Sequence, residues 1–283
     1  MNVYHALVPA CAEGMSAIRY IQQAMPLLPV HVVRDAFAAK DVKCGGKRVG
    51  KDDPVIPGET VRLFTGFSAE IPIVYEDEAV LLLNKPAGIN CGEDVWGGMT
   101  VLSMMDDRAK GAYAPRLCHR LDNATSGLLL LCKDDESEKL LREMFERRSL
   151  TKIYQCLVKG EMRPREAVKE AFLVKNSREG RVRIVTHETP GALPIATQYE
   201  TLEYDGKISR LRVHLLTGRT HQIRAHLSFL SHPIWGDDKY GDRNFNKAMK
   251  ANGLKLCATE LTLYPEGKLS YLRDRRFVIE PPF

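Results

Sequence analysis

Ala196-Thr-Gln-Tyr-Glu-Thr-Leu-Glu-Tyr-Asp-Gly-Lys-Ile-Ser-Arg-Leu-Arg-Val-His-Leu-Leu216 carries the clearest fold signal in the chain. Two β-type runs, 196–204 and 207–216, flank Asp205-Gly206, a dipeptide suited to the positive φ angles of a tight hairpin turn. Strands joined this way pair antiparallel, so the stretch predicts an antiparallel-rich α+β domain and argues against a doubly wound parallel sheet. After Thr217-Gly218, a helix is predicted over 220–230, with Ile223, Leu227 and Leu230 on one face.

Upstream, 152–159 reads as a strand. Two short apolar runs, 79–83 and 127–132, read as buried strands, the first ending at Asn84-Lys-Pro-Ala-Gly88. Between 132 and 152, Asp135 is placed as the cap of a helix whose apolar stripe is Leu140, Leu141, Met144 and Phe145. The first 67 residues read differently. Ala17, Ile21, Ala24 and Met25 recur at helical spacing and a second short helix is predicted over 33–39. Short β-type runs then follow, broken by Gly45-Gly46 and Pro57-Gly58. Residues 65–70 read as a linker, so the expected division is a small α+β module over 1–67 and a larger domain over 68–283.

At 44% hydrophobic and 27% charged, the 283 residues have an ordinary globular composition, not that of a disordered chain. No apolar run approaches the roughly 18 residues a membrane helix needs, and nothing resembles a secretion signal, which points to the cytoplasm and away from membranes. The seven cysteines are scattered, with no Cys-x-x-Cys pair. That gives no metal site, and reduced, buried thiols are expected. Between Lys40 and Lys51 five cations face one anion, four of the five net positive charges of the whole chain. The run is either a solvated face or a contact for a polyanion.

Several motifs match by spacing only. Gly45 to Lys51 has phosphate-loop spacing, but Asp52 stands where a hydroxyl would hold magnesium and Asp-Asp-Pro opens a helix poorly. His221 and His226 are five apart, not the four that place two zinc ligands on one helical face. Ser149-x-x-Lys152 lacks the companion motifs of an acyltransferase.

Two clusters remain. In Leu117-Cys-His-Arg-Leu-Asp-Asn-Ala-Thr-Ser-Gly-Leu-Leu-Leu-Leu131, Asp122 opens a turn leading into an apolar strand. Its carboxylate either caps local amides or lies against a hydrophobic wall, where it needs a cation. Leu216-Thr-Gly-Arg-Thr-His-Gln-Ile-Arg-Ala-His-Leu227 offers one in Arg224, which is otherwise a surface cation. Tyr154, in Lys152-Ile-Tyr-Gln-Cys-Leu-Val158, reads on its own as a packing residue.

Taken together, His119-Arg-Leu-Asp-Asn-Ala-Thr-Ser-Gly127, the Lys152-x-Tyr154 strand and Gly218-Arg-Thr-His-Gln-Ile-Arg-Ala-His-Leu227 resemble the RluA-type pseudouridine synthases. So do His232-Pro-Ile-Trp-Gly-Asp-Asp-Lys-Tyr-Gly241 and Asn84-Lys-Pro-Ala-Gly88. The resemblance covers about 70–265. The first module is similar to the alpha-L RNA-binding module that precedes many members. The resemblance implies Asp122 as catalytic aspartate, Arg224 as its ion-pair partner and Tyr154 as the tyrosine that packs on the target uracil. It further implies Arg120 as the residue filling the space of the flipped base, and Leu256 as a pocket-lining position. Arg219, Lys43, Lys47 and Arg48 are expected RNA contacts. Asn123, Cys257 and Tyr264-Pro265 depart from the family pattern at positions outside the central three.

The implied reaction needs no cofactor: the uracil–ribose bond breaks, the base turns, and a carbon–carbon bond rejoins it. A carboxylate beside the anomeric carbon can serve as nucleophile or stabilise positive charge there, as in glycosidases. The expected partner is structured RNA, ribosomal ahead of transfer RNA, and the expected state a monomer. The alternative is a non-catalytic RNA-binding or ribosome-assembly protein.

Overall fold

The computed structural model describes residues 1–176 and 178–283. The chain packs as two compact units, Met1–Pro72 with Gly88–Leu117, and Ile73–Ala87 with Cys118–Phe283. Residues 88–117 thus join the first unit although they lie beyond the 65–70 linker.

The first unit holds a four-stranded antiparallel sheet in the order Asn2–Leu7, Thr60–Thr65, Val42–Cys44, Lys47–Arg48. The opening strand has no clear signature in the sequence, because only Ala6 of its six residues is buried and apolar Val3 and Leu7 face solvent. Helices Ala17–Ala24 and Val30–Ala38 bury Ala17, Tyr20, Ile21, Ala24, Val32, Val33 and Ala36, the faces their helical spacing requires. Gly45-Gly46 turns the chain between two strands and opens no helix, so the phosphate-loop spacing has no structural counterpart. The later segment is tied in by Met99 N–H donating to Ala24 O at 2.7 Å. The buried Tyr20 hydroxyl also lies 2.9 Å from both Leu7 O and Trp96 O. Gly98 is needed here, since a Cβ would collide with the Ala24 carbonyl.

The second unit is built on one large sheet. Its strands run in the order Arg181–Val185, Glu166–Asn176, Leu193–Tyr204, Ile208–Leu215, Leu150–Lys159, Leu256–Leu263, Ser126–Cys132, Val80–Lys85, Ile73–Glu76. Every neighbouring pair is antiparallel except Ser126–Cys132 with Leu256–Leu263, which are parallel. The α+β, mainly antiparallel architecture is therefore as the 196–216 hairpin indicates. In that hairpin Asp205 Oδ1 accepts from Lys207 N and Ile208 N at 2.9 and 2.8 Å, and Gly206 takes φ +93°.

Ser126–Cys132 is buried at every residue, which explains its uninterrupted Leu run: a strand covered on both faces has no polar alternation. Leu128, Leu130 and Cys132 pack with Val80, Leu82, Leu261, Leu263 and with Leu141 and Met144 of helix Asp135–Glu146. That helix is capped by Asp134, one residue before the expected position, its carboxylate accepting from Ser137 N at 2.9 Å. Five of the seven cysteines are buried. Among the described residues no helix is long and apolar enough to cross a membrane.

Candidate active site

Asp122 sits in a turn closed by Thr125 N–H donating to Asp122 O at 3.1 Å, and the central strand begins at Ser126. The turn is held from below. Lys85, fully buried at the end of the neighbouring strand, donates from Nζ to Pro86 O and Asn123 O at 2.9 and 3.1 Å. A buried ammonium must be hydrogen-bonded, so this one fixes the carbonyl next to Asp122. Gly127 then adopts φ +114°, and a Cβ there would strike the Ala258 backbone. Only glycine lets the Asp122 strand approach the 256–263 strand this closely.

The Asp122 carboxylate makes no hydrogen bond to a local amide among the described residues. Its Oδ2 lies 3.5 Å from Arg224 Nη1 and 3.9 Å from His221 Nε2. With 23% of the side chain exposed, it stands at the edge of the protein interior, so neither of the two sequence readings, a cap on local amides or burial against an apolar wall, describes it fully. Arg224, by contrast, is buried, with 4% of its side chain exposed. Its main partner is not Asp122 but Asp237. Arg224 Nε donates to Asp237 Oδ2 and Nη2 to Oδ1, both at 2.8 Å, with Asp238 Oδ1 at 3.2 Å from Nη2.

Asp237 is fully buried, and its Oδ1 also accepts from Lys239 N and Tyr240 N at 2.8 and 2.9 Å. Burial pushes the Asp237 carboxyl upward, but the Arg224 hydrogen bonds and charge and the two amides outweigh it and hold the group below its ordinary value. Burial likewise weakens the Arg224 charge, and the Asp237 hydrogen bonds more than restore it, with help from the charges of Asp237, Asp122 and Asp238. The guanidinium is thus a permanently charged, rigid fork clamped by Asp237, with Nη1 left to face Asp122. The sheet pairs Tyr154 with Val213 on one side and Ala258 on the other, and Ala258 with Gly127. That row carries Tyr154 into the electrostatic range of Asp122. Burial raises the phenol's pKa first, and the Asp122 charge raises it further.

Leu256 is buried on the same strand as Ala258, with its carbonyl 3.5 Å from Ser126 Oγ. Arg120 is exposed. The Arg219 amide donates to Gln222 Oε1 at 3.1 Å, while its Nε is buried with no hydrogen-bond partner among the described residues. Lys47 and Arg48 are exposed and Lys43 half-buried over Phe64, all on the sheet of the first unit. Asp237, Tyr240 and His221 are site residues that the sequence alone does not single out. A signal exists in Trp235-Gly-Asp-Asp-Lys-Tyr240, which carries two acids and a Tyr, but spacing alone cannot show a contact between residues 13 apart.

A sequence model of the RNA pseudouridylate synthase family matches residues 79–229, just over half of the chain. The chain belongs to that family. Among relatives, it is 31% identical over 255 residues to the ribosomal large subunit pseudouridine synthase C of Vibrio cholerae, covering 82% of this chain and 79% of that one. It is 34% identical over 199 residues to the protein of the same name from Vibrio parahaemolyticus, a match spanning 69% of this chain and 60% of the relative. The solved structure of human RNA pseudouridylate synthase domain containing 1 superposes with a TM-score of 0.64 at 26% identity, over 78% of this chain and 87% of that one. The pseudouridine synthase fold is thereby shown, with a mixed α+β, mainly antiparallel architecture.

Proposed function

We propose that the protein converts specific uridines of structured RNA into pseudouridine, with ribosomal RNA as the favoured target and Asp122 as the catalytic carboxylate. The observation that carries this reading is the placement of a partly exposed carboxylate at the mouth of a buried cationic clamp. Asp122 is open to a substrate, while Arg224 behind it cannot turn away, because Asp237 holds both its Nε and Nη2. The names of the relatives support ribosomal over transfer RNA.

In the reaction the N1–C1′ bond breaks, the uracil rotates, a C5–C1′ bond forms, the C5 proton leaves and N1 ends protonated. Asp122 supplies negative charge at C1′ as the glycosidic bond opens, as nucleophile or as electrostatic partner. Tyr154 is held as a neutral phenol, which suits it to pack on the uracil face. It can relay the C5 proton only by surrendering its own as it accepts another. A glycosylase would need a second carboxyl kept protonated as the acid. The buried carboxyl nearby, Asp237, is held ionised instead, which favours isomerisation over base release. Reaching a uridine inside a stem requires flipping it out, at a cost of a few kcal/mol offset by phosphate and stacking contacts. Exposed Arg120 and the Lys43, Lys47, Arg48 group are the residues assigned to those contacts, with Arg219 beside the clamp helix and Leu256 lining the pocket. Residues 1–67 serve in this reading as the RNA-binding module and 68–283 as the catalytic domain.

The test uses RNA tritiated at uracil C5. Release of tritium to water with the base retained in the RNA is expected. Free labelled uracil would instead show a glycosylase, and retained label with RNA bound would show a binding protein only.

A further inference from the structure

We infer that His221 positions the Asp122 carboxylate as a neutral Nε2–H donor, its tautomer set by Tyr240. The inference rests on the isomerase reading above and adds a residue to its machinery. His221 caps the helix Gln222–Phe229, which carries Arg224, and does so in the left-handed backbone region at φ +54°. A residue with a Cβ is disfavoured there and persists where its surroundings impose it.

Nδ1 lies 2.9 Å from the Tyr240 hydroxyl, and that hydroxyl accepts from Val182 N–H at 2.9 Å. Val182 N–H can only donate, which leaves the hydroxyl's single proton free to go to Nδ1. A Nδ1 that accepts keeps the ring proton on Nε2. Nε2 is the nitrogen 3.9 Å from Asp122 Oδ2. The groups facing the ring are Asp122 and Asp237 on one side of the charge balance and Arg224 and Lys239 on the other. Burial is the largest influence, and it favours the uncharged ring.

The consequence is a division of labour on one carboxylate. Arg224 Nη1 and His221 Nε2 both approach Oδ2, which leaves Oδ1 for the ribose. At 3.9 Å the separation of His221 from Oδ2 is too long for a hydrogen bond and must close by roughly 1 Å, the tightening expected when substrate completes a site. The spacing of His221 to His226 is wrong for zinc, and the structure separates the two. His226 is buried against Thr197 Oγ1 at 3.0 Å, away from Asp122.

The experiment compares wild type, His221→Ala and His221→Gln in single-turnover tritium release, with RNA affinity and melting temperature measured alongside. Both variants share the left-handed backbone, so the difference between them reports the side-chain donor. His221→Ala should slow the chemical step on the order of 10- to 100-fold, the cost of misplacing a reacting group, with RNA affinity unchanged. His221→Gln, which restores an N–H near the Nε2 position, should recover most of that rate. In ¹⁵N-labelled wild type the ring proton should sit on Nε2, and Tyr240→Phe should return a mixture of tautomers. A Gln variant as slow as Ala, an Ala variant as fast as wild type, or a proton on Nδ1 would each overturn the inference. Wild type that releases no tritium would defeat the isomerase reading instead, and the nitrogen spectrum would still decide the tautomer.

Discussion

Removing the Arg224 side chain should destabilise the second unit more than removing the charge of Asp122, although both are site residues. Arg224→Ala strands Asp237, whose side chain is fully buried and gives up two hydrogen bonds of 2.8 Å at once. Breaking a buried pair in this way costs about 3 to 5 kcal/mol. Asp237 keeps the Lys239 and Tyr240 amides, so the lower end, about 3 kcal/mol, is the expected value. For a unit of this size that corresponds to a fall of about 6 to 12 °C in melting temperature. Asp122→Asn disturbs a single 3.5 Å ion pair at a partly exposed carboxylate and should cost under about 1 kcal/mol.

The pH dependence follows from the direction of the Asp237 shift. Its folded pKa lies below the ordinary 3.8, so the stability it contributes is complete above that value and is lost as pH falls through the lowered one. Without Arg224 the buried carboxylate takes a proton more readily. The deficit of the Ala variant should therefore be largest at neutral pH and narrow as pH drops toward and below 4. Calorimetry of both variants at pH 7 and in acid reads the effect. An Arg224→Ala protein melting within about 2 °C of wild type at pH 7 would refute the buried clamp, since so small a shift corresponds to less than about 1 kcal/mol.

Neutralising Lys43, Lys47 and Arg48 together should lower RNA affinity and flatten its salt dependence, by about 0.7 to 0.9 in log–log slope for each phosphate no longer neutralised, with the single-turnover rate unchanged. An unaltered slope would remove these residues from the RNA interface. His119 accepts from Leu130 N at 3.0 Å and stacks on Phe145 with ring centres 4.5 Å apart; burial, chiefly, lowers its pKa to about 3. Its folded pKa is below the unfolded one, so its contribution is complete above pH 6.5 and erodes as pH falls toward 3. Substituting His119→Gln, which keeps an acceptor but does not titrate, should flatten melting temperature against pH over that window. An unchanged slope would count against the half-buried neutral ring.

Much of the fold is legible where local chemistry and tertiary structure agree. Asp205-Gly206 specifies its own hairpin, the Leu128 to Leu131 run between turn residues reads as a doubly covered strand, and Ala17, Ile21 and Ala24 mark a helix face. Arg181–Val185 alternates exposed arginines with buried Val182 and Ile184, the pattern of a half-buried strand, whereas Glu166–Asn176 is less regular because apolar Val168 faces solvent. The row Tyr154, Ala258, Gly127 ties Tyr154 to the strand that follows Asp122, while Arg224 comes from the helix Gln222–Phe229. That row joins strands more than a hundred residues apart, which no local pattern encodes. The Asp237 clamp is hidden for the same reason: the sequence offers Arg224 as a cation for Asp122, and only packing shows that Asp237 is its main partner.

Single-turnover tritium release by Asp122→Asn, with RNA binding measured on the same preparation, tests the central assignment most directly. The expected result is full RNA binding, a melting temperature close to wild type and no detectable release from uracil C5. A variant that binds RNA and still turns over at an appreciable rate would show that the carboxylate at 122 does not carry the chemistry.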